Sequence, residues 1–423
     1  MTDLRERLRG GLSRRQRLLL LGVLVLTLLS AVRLITNTGE ITSSGTMGAA
    51  LRLAMPIMLA GLGGLLCERS GVVNIGLEGM LILGTWFGAW GGLNFGPWYG
   101  VLFGVLGGVL GGLIHAVATI TFNVDHIVSG VAINVLALGG MRFLSVLVYA
   151  NDPRGGAVQS PTVEGSIATT SVPFLTGGSL FGWHTPDFFG WVEDQGWFLV
   201  SDFFGLLRGC FGDLSWLVVI ALLTVPAIYF FLWKTPVGLR VRSCGEHPVA
   251  AESLGVNVYR MKYLGVTLSG ALAGLGGSIL VLEFARHYRE GQTGGRGFIG
   301  LASMIVGNWR PGGTAAAAGL FGFADALRLR DAAAVHALLL AIAVALLLFA
   351  AWSVFRRKAG RAVTLALLGG GVLAWFLVTD TVPSQFVAFT PHVITLLVMA
   401  FAAQHLRMPA ADGKRYRKGE ELF

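Results

Sequence analysis

The chain has 423 residues, 54% of them hydrophobic and 13% charged. A soluble domain of this length could not bury so much apolar surface in one core, so the composition excludes a soluble globular protein and leaves an integral membrane protein. The formal charge of +9 sits in short basic stretches between apolar runs, where it sets orientation and is no footprint for nucleic acid.

Taken in chain order, the apolar runs are about 17 to 25 residues long, enough to cross roughly 30 Å of hydrocarbon as a helix. The basic start, with Arg5, Arg7, Arg9, Arg14, Arg15 and Arg17, leads into a first run at 18–36. That run is long for a signal sequence and no small-x-small cleavage site follows it, so it is expected to remain as an uncleaved span. Further spans are expected at 49–67, 71–92, 98–121, 127–150, 214–233, 263–284, 298–309, 313–327, 336–355, 362–380 and 385–406. The pair 298–309 and 313–327 is short, and "NWRPGG" between its members breaks any continuous helix. Read as a re-entrant hairpin, the pair lowers the count from about twelve crossings to about ten without changing parity. The expected fold is an all-α polytopic membrane protein.

Lysine and arginine fix the expected orientation. Lys234, Arg240, Arg242, Arg260 and Lys262 mark one cytoplasmic segment, Arg356, Arg357, Lys358 and Arg361 a second, and Lys414, Arg415, Arg417 and Lys418 the tail. Between 151 and 213 the balance reverses, with Asp152, Glu164, Asp187, Glu193, Asp194, Asp202 and Asp213 against Arg154 and Arg208. The expected organisation is therefore a cytoplasmic basic N-terminus (1–17), a first transmembrane group (18–150) and an extracytoplasmic loop (151–213). A transmembrane helix (214–233), a cytoplasmic loop (234–262), a second transmembrane group (263–406) and a cytoplasmic tail (407–423) complete it. Both termini lie inside. Cys67, Cys210 and Cys244 are scattered singly and imply neither a disulfide framework nor a metal site.

Several spans carry small residues four apart, the spacing that lets helix backbones approach closely: Gly100, Gly104, Gly108 and Gly112 in one, Gly265, Ser269, Ala273 and Gly277 in another. "LAGLGG" occurs at 59–64 and again at 272–277. The expected topology runs the two copies in opposite directions, which points to a possible inverted repeat. Polar, glycine-interrupted segments follow each copy, and paired interruptions of this kind are the best sequence pointer to a solute site in a transporter.

The first interruption is "ERSGVVNIGLEGM". At helical spacing Gly71, Asn74, Glu78 and Thr85 share one narrow polar face. A carboxylate at hydrocarbon depth costs about 2.5 kcal/mol or more, so Glu78 must find a donor inside the bundle. Either Asn74 and Glu78 satisfy helix ends or they shape a solute route. Asn134, one turn from Gly130, is a second buried amide, and "GFIGLASMIVGNW" adds Ser303 and Asn308. Asn74, Glu78, Asn134, Ser303 and Asn308 are the candidates for the route, and neutral groups of this kind suit an uncharged, hydroxyl-rich solute better than an ion. In the cytoplasmic loop, "CGEHP" is expected to turn into a short helix, with Pro248 in its first turn and Gly255 as its stop. At under about twelve residues it is too short to stand alone and needs a surface to dock on. No phosphate-binding G-x-x-x-x-G-K-[ST] loop and no H-E-x-x-H occurs, and His115 is expected simply to be packed.

As a set, "ERSGVVNIGLEGM", "HIVSGVAINVLALGG", "GLRVRSCGEHPVAAESLGVNVYRMKYLGVTLSGALAGLGGSIL", "GFIGLASMIVGNWRPGGTAAAAGLFGFADALR" and "RMPAADGKRYRKGEE" resemble the permease family of ATP-driven (ABC) importers for branched-chain amino acids, monosaccharides and nucleosides. The likeness is closest to the nucleoside or simple-sugar branch and runs from about residue 50 to the C-terminus. It implies a transport subunit of the cell membrane, not an enzyme, with ATP and Mg bound by a separate ATPase and no cofactor on this chain. By resemblance, Gly245, Glu246, His247, Pro248, Ala250, Ala251 and Gly255 form the coupling helix that meets the ATPase. A second similar permease or a second copy, an extracytoplasmic solute-binding lipoprotein and membrane lipid are the other implied partners. The outer loop, with "FGWHTPDFFGWVEDQGWFLVSDFF", is longer and more aromatic than the family pattern. The rival reading is a stand-alone secondary carrier or channel, disfavoured by the lack of an intramembrane charge network. An intramembrane enzyme would need a nucleophile, base or metal constellation that the spans do not supply.

Overall fold

The computed structural model describes residues 13–180, 183–330, 332–383 and 406–419, which form helices joined by short turns and two small two-stranded pairings. The long helices are α1 (Arg14–Thr36), α2 (Ser44–Arg69), α3 (Leu77–Phe95), α4 (Pro97–Ala116) and α5 (His126–Tyr149). After the 151–213 loop, which holds α6 (Phe188–Asp194) and α7 (Val200–Phe211), come α8 (Trp216–Lys234), α9 (Pro236–Glu246), α10 (Pro248–Ser253) and α11 (Val258–Ile279). The remainder is α12 (Arg296–Val306), α13 (Pro311–Arg330), α14 (Ala332–Phe355) and α15 (Ala359–Val378). Strand β1 (Thr169–Thr170) pairs with β4 (Leu214–Ser215), and β2 (Ser179–Leu180) with β3 (Trp183–His184). Among the described residues, 8 helical segments are long and apolar enough to cross a membrane. The span expected at 385–406 lies outside the described residues, as does the basic start up to residue 12.

The chain divides into two compact units: Met1–Ala49, Ser171–Gly212 and Asp325–Thr390 make the first, and Ala50–Thr170, Asp213–Ala324 and Pro391–Phe423 the second. The core of the second unit is built on the small-residue faces. A Cβ on Gly108 of α4 would stand 2.1 Å from the Gly270 carbonyl oxygen of α11, and one on Gly84 of α3 would stand 2.5 Å from that of Gly274. Only glycine lets three backbones approach this closely, and the contact replaces side-chain volume with backbone dispersion. The two "LAGLGG" stretches also face each other: Gly63 lies against Ser269 and Gly276 against Pro56, so α2 and α11 run antiparallel.

One expectation changes. The span expected at 71–92 is not one helix: residues 71–76 are irregular, Gly71 has φ +85°, and α3 begins only at Leu77. Gly71 and Asn74 therefore do not share a helical face with Glu78 and Thr85. The break expected at "NWRPGG" is present, with α12 only 11 residues long and Asn308 and Trp309 at φ +55° and +51°. Periodicity also missed α6, α7 and α9, because each lies in a segment whose length and polarity read as loop.

Candidate functional site

Irregular backbone at membrane depth is tolerated only where other groups satisfy its N–H and C=O. In residues 71–76, side chains from three helices do so. The Asn74 amide oxygen accepts from the Gly76 N–H at 3.0 Å, and its NH2 donates to Ser269 Oγ of α11 at 3.0 Å. Asn134 of α5 brackets the start of α3, accepting from the Gly79 N–H at 2.7 Å and donating to the Ile75 carbonyl at 3.1 Å. His115 of α4 pairs through Nε2 with the Val73 carbonyl at 3.0 Å and through Nδ1 with Ser129 Oγ at 2.9 Å. His126 Nδ1 accepts from the Val73 N–H at 3.3 Å, and Lys262 Nζ donates to the Gly71 carbonyl at 3.4 Å.

Glu78 is buried in the first turn of α3 and reaches the second interruption. Its two oxygens accept from the N–H groups of Gly295, at 2.9 Å, and Gly297, at 2.6 Å, at the N-terminus of α12. A carboxylate there answers both the unsatisfied N–H groups and the positive end of the helix dipole. One charged side chain thus ties together the two broken segments.

The other route candidates are placed differently. Ser303 is buried, donates to the Gly300 carbonyl of its own helix at 2.7 Å, and packs on Gly61 of α2. Asn308 accepts from the Arg407 N–H at 2.7 Å and so holds the C-terminal segment, apart from Asn74, Glu78 and Asn134.

The loop that follows α8 folds as a helical hairpin. Thr235 caps α9 by accepting from the Gly238 N–H at 3.0 Å, and His247 caps α10 by accepting from the Ala250 N–H at 3.2 Å. Pro248 occupies the first turn of α10, and Gly255 follows it at φ +81°. Gly245 is pressed onto the end of α2: a Cβ there would stand 2.3 Å from the Arg69 carbonyl oxygen. Gly71 in turn lies against Cys244 and Gly245. The loop singled out for its helix signals and the segment singled out for its buried polar groups are in direct contact.

The C-terminal segment binds both. The Ala411 N–H donates to the Gly245 carbonyl at 2.9 Å and the Ala410 N–H to Glu246 at 3.2 Å, while the Tyr416 hydroxyl donates to Glu252 at 2.6 Å. Glu246 also pairs with Arg69 at 3.5 Å. Asp412 is buried beside Glu68, whose carboxylate accepts from the Trp309 indole N–H at 2.5 Å. Burial and then the Glu68 charge push the Asp412 carboxyl up to about 9, so it stays protonated at neutral pH. Ala251 is buried with Cys244, Val258 and Tyr416. At the tip of the hairpin Leu254 is 84% exposed, beside a cavity of about 400 Å³ lined by Glu252, Asn257, Tyr259, Tyr416 and Lys418. Sequence reasoning missed Leu254, Glu68, Trp309 and Asp412. A lone leucine before a glycine stop carries no periodic signal, and the acid pair joins residues far apart in the chain.

A family model for the permease component of branched-chain amino acid transport systems matches residues 46–351. The chain belongs to this family. It is 32% identical to the guanosine ABC transporter permease protein NupQ of Bacillus subtilis, over 88% of this chain and 96% of that one. It is 31% identical to the nucleoside ABC transporter permease protein NupC of Lactococcus lactis, over 86% and 94%. Against the putative glucose ABC transporter permease protein TsgC13 of Haloferax volcanii it is 32% identical, over 68% and 78%. No solved structure matches the chain. With its apolar helices, this permease is a multi-pass protein of the cell membrane.

Proposed function

We propose that this permease imports nucleosides by alternating access, driven by a separate ATPase chain that seats on the α9–α10 hairpin. The observation that carries the reading is the contact of Gly245 with Arg69 and Gly71. A push on the hairpin reaches the broken segment 71–76 directly, and from there Glu78 and the N-terminus of α12. Rigid-body rocking needs only such a contact between a driven element and the helices that line a route. The basic residues around the hairpin support a cytoplasmic position for it and for both termini.

Two further features support the choice of solute. Glu78 neutralises the N-terminus of α12, so this broken helix end offers no site for an anionic solute such as a free carboxylate. Two relatives that align over most of the chain are named for nucleosides or guanosine. Asn74 and Asn134 act in this reading as braces of the route. Asn308 holds the tail, and Ser303 packs α12 on α2. A second permease, similar or identical, and an extracytoplasmic solute-binding protein complete the assembly, and ATP and Mg belong to the partner.

Leu254 supplies the test. Exposed at the hairpin tip, it is an apolar knob for the ATPase, and Leu254→Glu is expected to abolish ATP-driven uptake of radiolabelled guanosine while leaving the protein inserted and folded. Uptake at the wild-type rate would remove the hairpin from the coupling route. Uptake that unlabelled glucose competes away and adenosine or guanosine does not would overturn the nucleoside assignment.

A further inference from the structure

The aromatic outer segment takes no part in the proposed coupling route, yet it holds the two helices of the 151–213 loop. Its helices α6 and α7 belong to the first unit and have two unlike sides. The inward side is polar. Arg208 bridges Asp187 at 2.6 Å and Glu193 at 3.0 Å, and Glu193 also accepts from the Ser44 N–H at 2.8 Å, at the start of α2. Asp202, 1% exposed, pairs with Arg33 of α1 at 3.1 Å and accepts from the Thr42 hydroxyl. Gly205 and Gly209 let α7 lie directly on the Thr42 and Ser44 carbonyls. The hairpin is thus clamped to the turn between α1 and α2.

That turn fixes its depth. Both α1 and α2 are long and apolar enough to cross the membrane, so the residues joining them lie at a bilayer face. The outward side of the hairpin is aromatic: Phe188, Trp191, Trp197, Phe198 and Phe203 are all exposed, Trp191 by 55% and Trp197 by 51%. Phe188 stacks on Trp191, which meets Trp197 edge-on at 6.2 Å. On α1, Leu34 and Ile35, next to the clamped Arg33, are exposed as well.

We propose that the α6–α7 hairpin is an interfacial anchor that lies in the lipid headgroup layer and holds the α1–α2 turn at fixed depth. Lipid fits better than a protein partner for a physical reason. Four of the charged groups that could recognise a protein are already paired, Arg208 with Asp187 and Glu193 and Asp202 with Arg33, which leaves Asp194 on the exposed turn. Most of the exposed surface is a band of indole and phenyl rings, the chemistry that concentrates at the membrane–water boundary.

Spin labels test the proposal in the assembled transporter in lipid vesicles. Trp191→Cys, Trp197→Cys, Phe203→Cys and, as a control on the exposed turn, Asp194→Cys are labelled in a Cys210→Ser background. Collisions with oxygen are expected to exceed those with an aqueous nickel chelate at 191, 197 and 203, with the order reversed at 194. Chelate collisions dominating at all three aromatic positions would overturn the anchor. A loss of those collisions only when the solute-binding protein is added would reassign the surface to that protein. A label-free check uses brominated lipids. Wild-type tryptophan emission is expected to lose a shallow-quenched component in the Trp191→Phe/Trp197→Phe variant, and an unchanged quenching profile would also contradict the proposal.

Discussion

At the scale of single residues, the buried polar groups near 71–79 are held by backbone amides. Removing Glu78 leaves the N–H groups of Gly295 and Gly297 without acceptors, at about 1–3 kcal/mol each. Glu78→Ala is therefore expected to lower the thermal unfolding midpoint and impair uptake, and Glu78→Gln, which keeps one acceptor oxygen, to recover part of both. An Ala variant with the wild-type midpoint would show that the two segments are not joined there. Asp412 gives a prediction in pH. Its pKa is raised by burial and by Glu68, against the opposing pull of Lys262, so its contribution to tail docking is complete below the ordinary carboxylate range near about 4. That contribution is lost as the pH climbs through about 9. Proteolysis of the tail should accelerate over that interval in the wild type, whereas in Asp412→Asn, which carries no titrating proton, the pH dependence should vanish. The need for partners at Asn74, Glu78 and Asn134 was legible in the sequence, because buried polar side chains are costly. The partners were not, since Ser269, Gly297 and Ile75 are distant in the chain and reached only through packing.

At the scale of elements, the crossings are readable because each must be long and apolar, and the close approaches because small residues recur every four positions. The α4–α11 contact offers a sharp test. Gly108→Ala places a methyl group against the Gly270 carbonyl at a distance no Cβ occupies, and is expected to cost about 1–3 kcal/mol. Gly139→Ala, on α5 where nothing lies within 4 Å, is expected to be neutral or to gain about 0.5–1 kcal/mol from helix propensity. Equal unfolding midpoints for the two variants would contradict the packing. The break at 71–76 was hidden because Val72, Val73 and Ile75 keep the run apolar. What stops the helix is tertiary, in His115, His126 and Asn134 competing for its backbone groups. The start and stop of α10 were legible from Pro248 and Gly255, whereas its outward face was not. Ala251 is inside the hairpin and Leu254 outside, so Ala250→Glu and Leu254→Glu probe docking while Ala251→Glu would disrupt the hairpin itself.

At the scale of the whole molecule, the proposed energy source is a separate ATPase, and in that proposal the hairpin resting on the broken segment is where its push enters. The tail reinforces that path, because it fastens to Asn308, Gly245, Glu246 and Glu252 at once. The decisive measurement is guanosine accumulation in sealed vesicles holding this permease with and without the proposed ATPase and companion permease. Uphill accumulation is expected only in the complete assembly supplied with ATP. Uphill accumulation by this chain alone, without nucleotide, would contradict the account.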